Sequence, residues 1–166
     1  MNGERASSQF PINYSQFIIQ EGMMNESSFT ENSFQNYLQN KQLMGAKCQD
    51  CGSLFLPPRP MCPQCHGSSM SWQKMTGKGE LAAFTAVFIG PNAMIEAGYD
   101  RTNPYMSGIV KLAEGPFISA QILGLDAVAP DVDDIGTPLT VQFIERGDGE
   151  AKRTFLAFAT QPSELI

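Results

Sequence analysis

Histidine is nearly missing from this chain: His66 is the single imidazole among 166 residues. One imidazole without an identifiable partner is a thin basis for acid–base chemistry, and His66, directly after a cysteine, reads as a solvent-facing residue. Long apolar runs are missing too. The longest, such as Leu81 to Ile89, have the length of a β-strand and fall far short of the roughly 20 residues that a bilayer-spanning helix needs. No segment is expected to cross a membrane. Met1 to Gln20 lacks a basic start and a continuous apolar stretch, so it does not read as a secretory signal, and a cytoplasmic location is expected. Basic residues are outnumbered, with 11 Lys and Arg against 17 Asp and Glu and a net charge of -6. Binding a polyanion is driven largely by basic side chains that release condensed counterions, so a general affinity for nucleic acid is not expected. A Gly-rich phosphate loop is also lacking, because Gly77-x-Gly79 precedes a strand and not the helix that a dinucleotide fingerprint requires.

What is present is concentrated in four cysteines. Their spacing, Cys48-x2-Cys51-x10-Cys62-x2-Cys65, makes two chelating pairs separated by a loop, which suits one tetrahedral metal gripped by two tight turns. Gly52 follows the first pair and Gly67 the second, where small residues let backbone amides turn toward sulfur. Two disulfides are an alternative that a reducing compartment disfavours. Iron in a rubredoxin-like site is the sharper rival to a single structural zinc, since four thiolates accommodate either metal. Committing all four thiols to a metal leaves no cysteine nucleophile, and the chain is expected not to be an enzyme. Asp131, Asp133 and Asp134 share one loop, where solvation is the ordinary explanation and binding of a hard cation the lesser one. Charge is uneven: Lys41, Lys47, Arg59, Lys74 and Lys78 face the single acid Asp50, so this stretch is net +4 within a chain of net -6. A basic module on an acidic body suits a phosphate-bearing ligand or an acidic partner.

The chain divides into four parts. Residues 1–28, rich in Ser, Asn and Gln, read as a flexible arm in which Tyr14, Phe17 and Ile18 have the spacing of one amphipathic turn. Met23 and Met24 offer alternative starts. Residues 29–45 hold a helix capped by Thr30, with Phe34, Tyr37 and Leu38 on its apolar face and Gly45 as its stop. Core packing is the first reading of that face, and docking of Phe29, Phe34 and Tyr37 on another protein the second. Residues 46–76 hold the cysteine module. Residues 77–166 carry five strands: Glu80 to Ile89, Tyr105 to Ala113, Phe117 to Leu125, Leu139 to Arg146 and Arg153 to Ala159. Glu114-Gly115-Pro116 and Gly147-Asp148-Gly149 are expected to close two hairpins. Five strands with a long first connection predict a small closed barrel, of which the OB-fold is the commonest kind, with a five-stranded sandwich or an SH3-like barrel as the alternatives.

Several motifs together resemble a known family. They run from Leu43-x-Gly45-x-Lys47-Cys48-x2-Cys51-Gly52 through Phe55-x-Pro57-Pro58-Arg59 to Cys62-Pro63-x-Cys65, and resume at Gly77-x-Gly79-x-Leu81 and Phe84-Thr85. Later echoes are Pro104-Tyr105, Val110-x-Leu112-x-Glu114-Gly115 and Gly136-x-Pro138-Leu139-x-Val141. The chain is similar, over residues 29 to 160, to the zinc-ribbon plus OB-fold proteins first catalogued as a domain of unknown function and since associated with acyl-CoA metabolism. The resemblance implies a mainly β protein: a short N-terminal helical segment, a rubredoxin-like zinc ribbon and a five-stranded OB-fold barrel. It implies a non-catalytic scaffold that partners a thiolase, a hydroxymethylglutaryl-CoA (HMG-CoA) synthase or a related enzyme, helps to pass intermediates, and shares in binding CoA or acyl-CoA. Beyond the family pattern, Lys47 and Arg59 are the basic residues nearest the motif and the candidates for phosphate contact. The alternative is a nucleic-acid-binding zinc-ribbon and OB-fold module, with Phe84, Phe88 or Tyr105 stacking on bases.

Overall fold

The computed structural model describes residues 29–147, 149 and 152–160; the expectations for the N-terminal arm, including Tyr14, Phe17, Ile18 and the start at Met23 or Met24, lie outside the described residues. Helix α1 spans Glu31–Gln39, and Thr30 caps it as expected: its Oγ1 accepts the Ser33 N–H at 3.2 Å. The stop comes earlier than the sequence suggests. The chain leaves the helix at Asn40, and Lys41 takes a left-handed turn at φ 55°. Gly45 lies inside strand β1, Met44–Cys48. It is small for a different reason, since a Cβ there would sit 2.9 Å from the Phe55 carbonyl oxygen.

Strand β1 is the centre of a three-stranded antiparallel sheet, with β2 (Leu54–Phe55) on one side and β3 (Met70–Lys74) on the other. Ala46 pairs with both Phe55 and Trp72. Trp72 receives the helix. Phe29 stacks on it at 4.5 Å between ring centroids and Tyr37 tilts against it at 4.8 Å, while Phe34 and Leu38 join the core. The aromatic face of α1 is thus used inside the molecule, which favours the core-packing reading over docking.

The remaining strands are β4 (Lys78–Val87), β5 (Tyr105–Leu112), β6 (Phe117–Leu123), β7 (Pro138–Arg146) and β8 (Arg153–Ala159). They close into a barrel in the order β4-β5-β6-β8-β7, the OB-fold arrangement. Both expected hairpins form, joining β5 to β6 and β7 to β8. Closure uses two short seams: three antiparallel pairs between β4 and β7, and three parallel pairs between β6 and β8. A register shift between Leu81 and Ala83 bends β4, and Gly108 opposite leaves the room that this needs. A Cβ on Gly108 would lie 2.8 Å from Leu81 and 2.7 Å from Ile122.

Two connections hold local structure that the sequence did not announce. A short helix, α2 (Asn92–Glu96), lies between β4 and β5 and buries only Met94. A 3-10 turn at Val132–Asp134 lies before β7. Its acids shape backbone: Asp131 accepts the Asp133 amide at 3.0 Å, and upstream Asp126 accepts that of Val128 at 2.8 Å, as carboxylates do in turns. Ribbon and barrel share one continuous core, in which Leu38, Leu43, Leu56 and Met75 join Leu81, Met106, Val110, Leu112, Leu139 and Phe158. Between them the backbone is pinned on each side. The Met75 amide donates to the Leu43 carbonyl at 2.9 Å, the Thr76 amide to Glu114 Oε1 at 2.6 Å, and the Val141 amide to the Gly77 carbonyl at 2.8 Å.

Candidate metal centre

Two turns with the same hydrogen-bond pattern bring the four cysteines together. In the first, the Cys48 amide donates to the Ser53 carbonyl and the Gly52 amide to the Cys48 carbonyl, both at 2.9 Å. In the second, the Cys62 amide donates to the Gly67 carbonyl and the His66 amide to the Cys62 carbonyl, again at 2.9 Å. Cys48, Cys51, Gly52 and Ser53 therefore correspond to Cys62, Cys65, His66 and Gly67. The correspondence moves the expected glycine pair by one position. The left-handed residue is Gly52 at φ 75° in the first turn, but His66 at φ 60° in the second. Gly67 leaves room for the Asp50 carboxylate, which a Cβ there would displace. His66 is solvent-exposed, as the sequence suggests.

Sulfur geometry fits one tetrahedral ion. All four Sγ atoms lie within 4.8 Å of one another, with 3.6 Å between Cys48 and Cys65 and 3.5 Å between Cys51 and Cys62. Four sulfurs at about 2.3 Å from a common centre would be spaced by roughly 3.8 Å. Cys48 and Cys62 are fully buried, whereas Cys51 and Cys65 face solvent. The protons are unevenly held. Ser53, through its hydroxyl and its amide, pulls the Cys51 thiol down to about 6. The Gly67 amide pulls on Cys65 as well, but the adjoining thiols of Cys48 and Cys62 outweigh it and push Cys65 up to about 12. Negative sulfurs this close oppose one another's ionisation, and a cation removes that opposition. Ser53 also ties the two turns together: its Oγ lies 3.3 Å from Cys51 Sγ and donates to Gln64 Oε1 at 2.8 Å. Nothing in the spacing of the cysteines announces that brace.

The two basic candidates are placed differently. Lys47 sits on β1 between Leu54 and Ser71, half-buried, while Arg59 is exposed in the segment after β2. Neither has an ion-pair partner among the described residues. Of the aromatics considered for base stacking, Phe84 packs against the core, Tyr105 meets Tyr99 edge-on at 5.4 Å, and Phe88 stays exposed. No described helix is long and apolar enough to cross a membrane.

Comparison with known proteins finds two successive domains, which meet inside β3. Residues 38–71 match the family described as ChsH2, rubredoxin-like zinc ribbon domain, and residues 72–143 match ChsH2, C-terminal OB-fold domain. A DUF35 domain-containing scaffold protein of Methanothermobacter thermautotrophicus is 32% identical over 123 residues, which is 73% of this chain and 86% of that protein. One of the same name from Methanocaldococcus jannaschii is 30% identical over 82 residues, but the match spans only 55% of that protein and 49% of this chain. The benzoylsuccinyl-CoA thiolase subunit BbsA of Thauera aromatica is 33% identical over 82 residues, 49% of this chain and 52% of that subunit. Among solved structures, an Ltp2-ChsH2(DUF35) aldolase aligns with a TM-score of 0.62 at 23% identity, over 82% of this chain and 96% of that one. That likeness speaks for the fold.

Proposed function

The chain belongs to the family of ChsH2-type DUF35 proteins, which join a zinc ribbon to an OB-fold, and from that premise we propose that it is a non-catalytic accessory subunit of an acyl-CoA-processing enzyme. The observation that carries this reading is the match along 86% of a protein named as a scaffold. A second relative named as a thiolase subunit supplies the partner class. The chain's own residues agree. Its thiols are gathered for a metal and its one histidine is held by backbone geometry at the metal turn.

In this reading Cys48, Cys51, Cys62 and Cys65 hold one structural zinc, which supplies a cross-link between the two turns and no reaction chemistry. Residues 29–45 pack the helix on the ribbon of residues 46–76, and the barrel of residues 77–166 presents its loops. The partner is a thiolase, an HMG-CoA synthase or a related enzyme in the cytoplasm. Lys47 and Arg59 meet the phosphates of CoA as the intermediate passes. The test is affinity purification from the source organism, with co-eluting proteins identified and metal measured in the same fraction. A stoichiometric acyl-CoA enzyme with about one zinc per chain is the expected result. Elution alone, or with nucleic acid that salt removes, would sink the reading.

A further inference from the structure

Arg146, at the end of β7, is held by side chains from three other elements. One guanidinium nitrogen donates to Gln121 Oε1 on β6, the other lies 3.2 Å from Met94 Sδ on α2, and the guanidinium carbon stands 5.4 Å from the centre of the Phe155 ring on β8. Gln121 is itself aimed, because its Nε2 donates to the Tyr99 hydroxyl at 2.8 Å, and Tyr99 rests edge-on against Tyr105. A guanidinium has five N–H donors, so several remain after these contacts.

No carboxylate takes them among the described residues. Glu145, next in the chain, points to the opposite side of the strand and pairs with Lys152 at 2.5 Å. Asp100, in the β4–β5 loop, spends its Oδ1 on the amides of Thr102 and Asn103. Directly across the hairpin stands a second arginine, Arg153, in register with Arg146. Two like charges opposed on one face of a sheet destabilise it, and here one of them is also locked in place.

The surroundings are apolar and open. Phe155 is 40% exposed, Ile95 beside Met94 is 53% exposed, and Phe88 and Ile89 at the start of the same loop are 42% and 70% exposed. Strands β5 and β6 with the β4–β5 loop belong to the face on which OB barrels take up ligands. Arginine and aromatic side chains together are the signature of binding hot spots between proteins. Lys111 and Lys152 are already paired with Glu80 and Glu145, which leaves Lys78, Arg101, Arg146 and Arg153 as the barrel cations without an ion pair among the described residues.

We infer that this face, centred on Arg146 with Arg153, Phe155 and Ile95, docks a partner protein that presents one or more carboxylates within an apolar rim. The class of partner, an acyl-CoA enzyme, rests on the proposed function; the surface does not. The carboxylate takes the free edge of Arg146 and removes the repulsion from Arg153, so the charges of the empty face become a bond of the complex.

The test places photoreactive p-benzoylphenylalanine at position 155 of the full chain in its own host, with a second probe at position 61 on the ribbon, and maps crosslinked peptides. Expected is a crosslink from position 155 to an acyl-CoA enzyme, at a peptide bearing Asp or Glu, whose yield falls about tenfold or more in Arg146→Glu and in Arg153→Glu. Thermal midpoint and metal content guard against misfolding, and the exposed Arg153 provides the milder variant. A crosslink to an acidic segment of another kind of protein, equally sensitive to charge reversal, supports the surface and removes the partner class. Crosslinks from 61 but none from 155 overturn the surface and leave the scaffold reading standing, and silence at both overturns both. Yield from 155 that ignores the reversals, or that falls when CoA or inorganic pyrophosphate is added, overturns the carboxylate partner, the second outcome in favour of a small anion.

Discussion

The ribbon and the barrel are ordered by different physics. In the ribbon, β2 is two residues long, the sheet has three strands, and the fully buried side chains are Ala46, Cys48 and Cys62. Few apolar atoms leave water there, so the cysteines must supply what a core cannot. In the barrel, Leu81, Met106, Val110, Leu112 and Phe158 are each no more than 1% exposed, and burial of that kind stabilises a fold without covalent help. The two regions nevertheless meet in one cluster through Leu43, Leu56 and Met75. A part with little core of its own is thus mounted on a part with a full one.

The sharpest way to break this comparison is to remove one ligand. Cys62→Ser, in the full chain, is expected to cost the ribbon most of its metal-linked stability, on the order of 10 kcal/mol in apparent terms. Heteronuclear NMR should show the signals of residues 44–74 collapse while those of β5 and β6 persist; loss of the barrel signals as well would show that the two regions are one cooperative unit. Phe158→Ala is the converse. Emptying that site should cost about 3–5 kcal/mol, lower the denaturation midpoint, and leave metal content unchanged. His66→Gly refines the equivalence of the two turns. Relief of a left-handed histidine should stabilise the ribbon by about 1 kcal/mol, read as slower metal release to a chelator, whereas His66→Ala should give no such gain. The smallest effect belongs to Glu145. Its pairing with Lys152 holds its carboxyl below the usual range, so the stability it adds is present above its unfolded value and is lost as pH falls through the folded one. An acid titration of unfolding should therefore flatten slightly in Lys152→Ala, which starts slightly less stable near neutrality and converges with the parent chain at low pH.

The same contrast explains what could be read in advance. Barrel strands advertise themselves: Arg153 to Ala159 appears where expected, and the strand expected over Tyr105 to Ala113 ends one residue sooner, at Leu112. β4 starts at Lys78, ahead of its most apolar part, because Lys78 and Gly79 pair with Thr140 and Leu139 on a strand some 60 residues away. No local pattern carries that pairing. Gly45 read as a helix stop because stop glycines and close-contact glycines look identical in a sequence. The five residues of α2 bury one side chain, too little for a period to show. The gathering of the four cysteines was legible from spacing alone, but the left-handed turn at His66, where Gly67 had been expected to matter, needed the backbone. Arg146 was invisible for a stronger reason: its partners Met94, Gln121 and Phe155 are gathered from three separate elements.

The seam between β6 and β8 gives that arginine a further property. Only Gln121, Ile122 and Leu123 join Ala157, Phe158 and Ala159 there, in the parallel geometry that is the weaker per residue. Ile122, Ala157, Phe158 and Ala159 are buried, so the seam opens rarely. Gln121 is both the first stitch of this seam and the residue that aims Arg146. Each opening of the seam therefore slackens the guanidinium, and a partner seated on it would act as a clasp, slowing hydrogen exchange at residues it never touches.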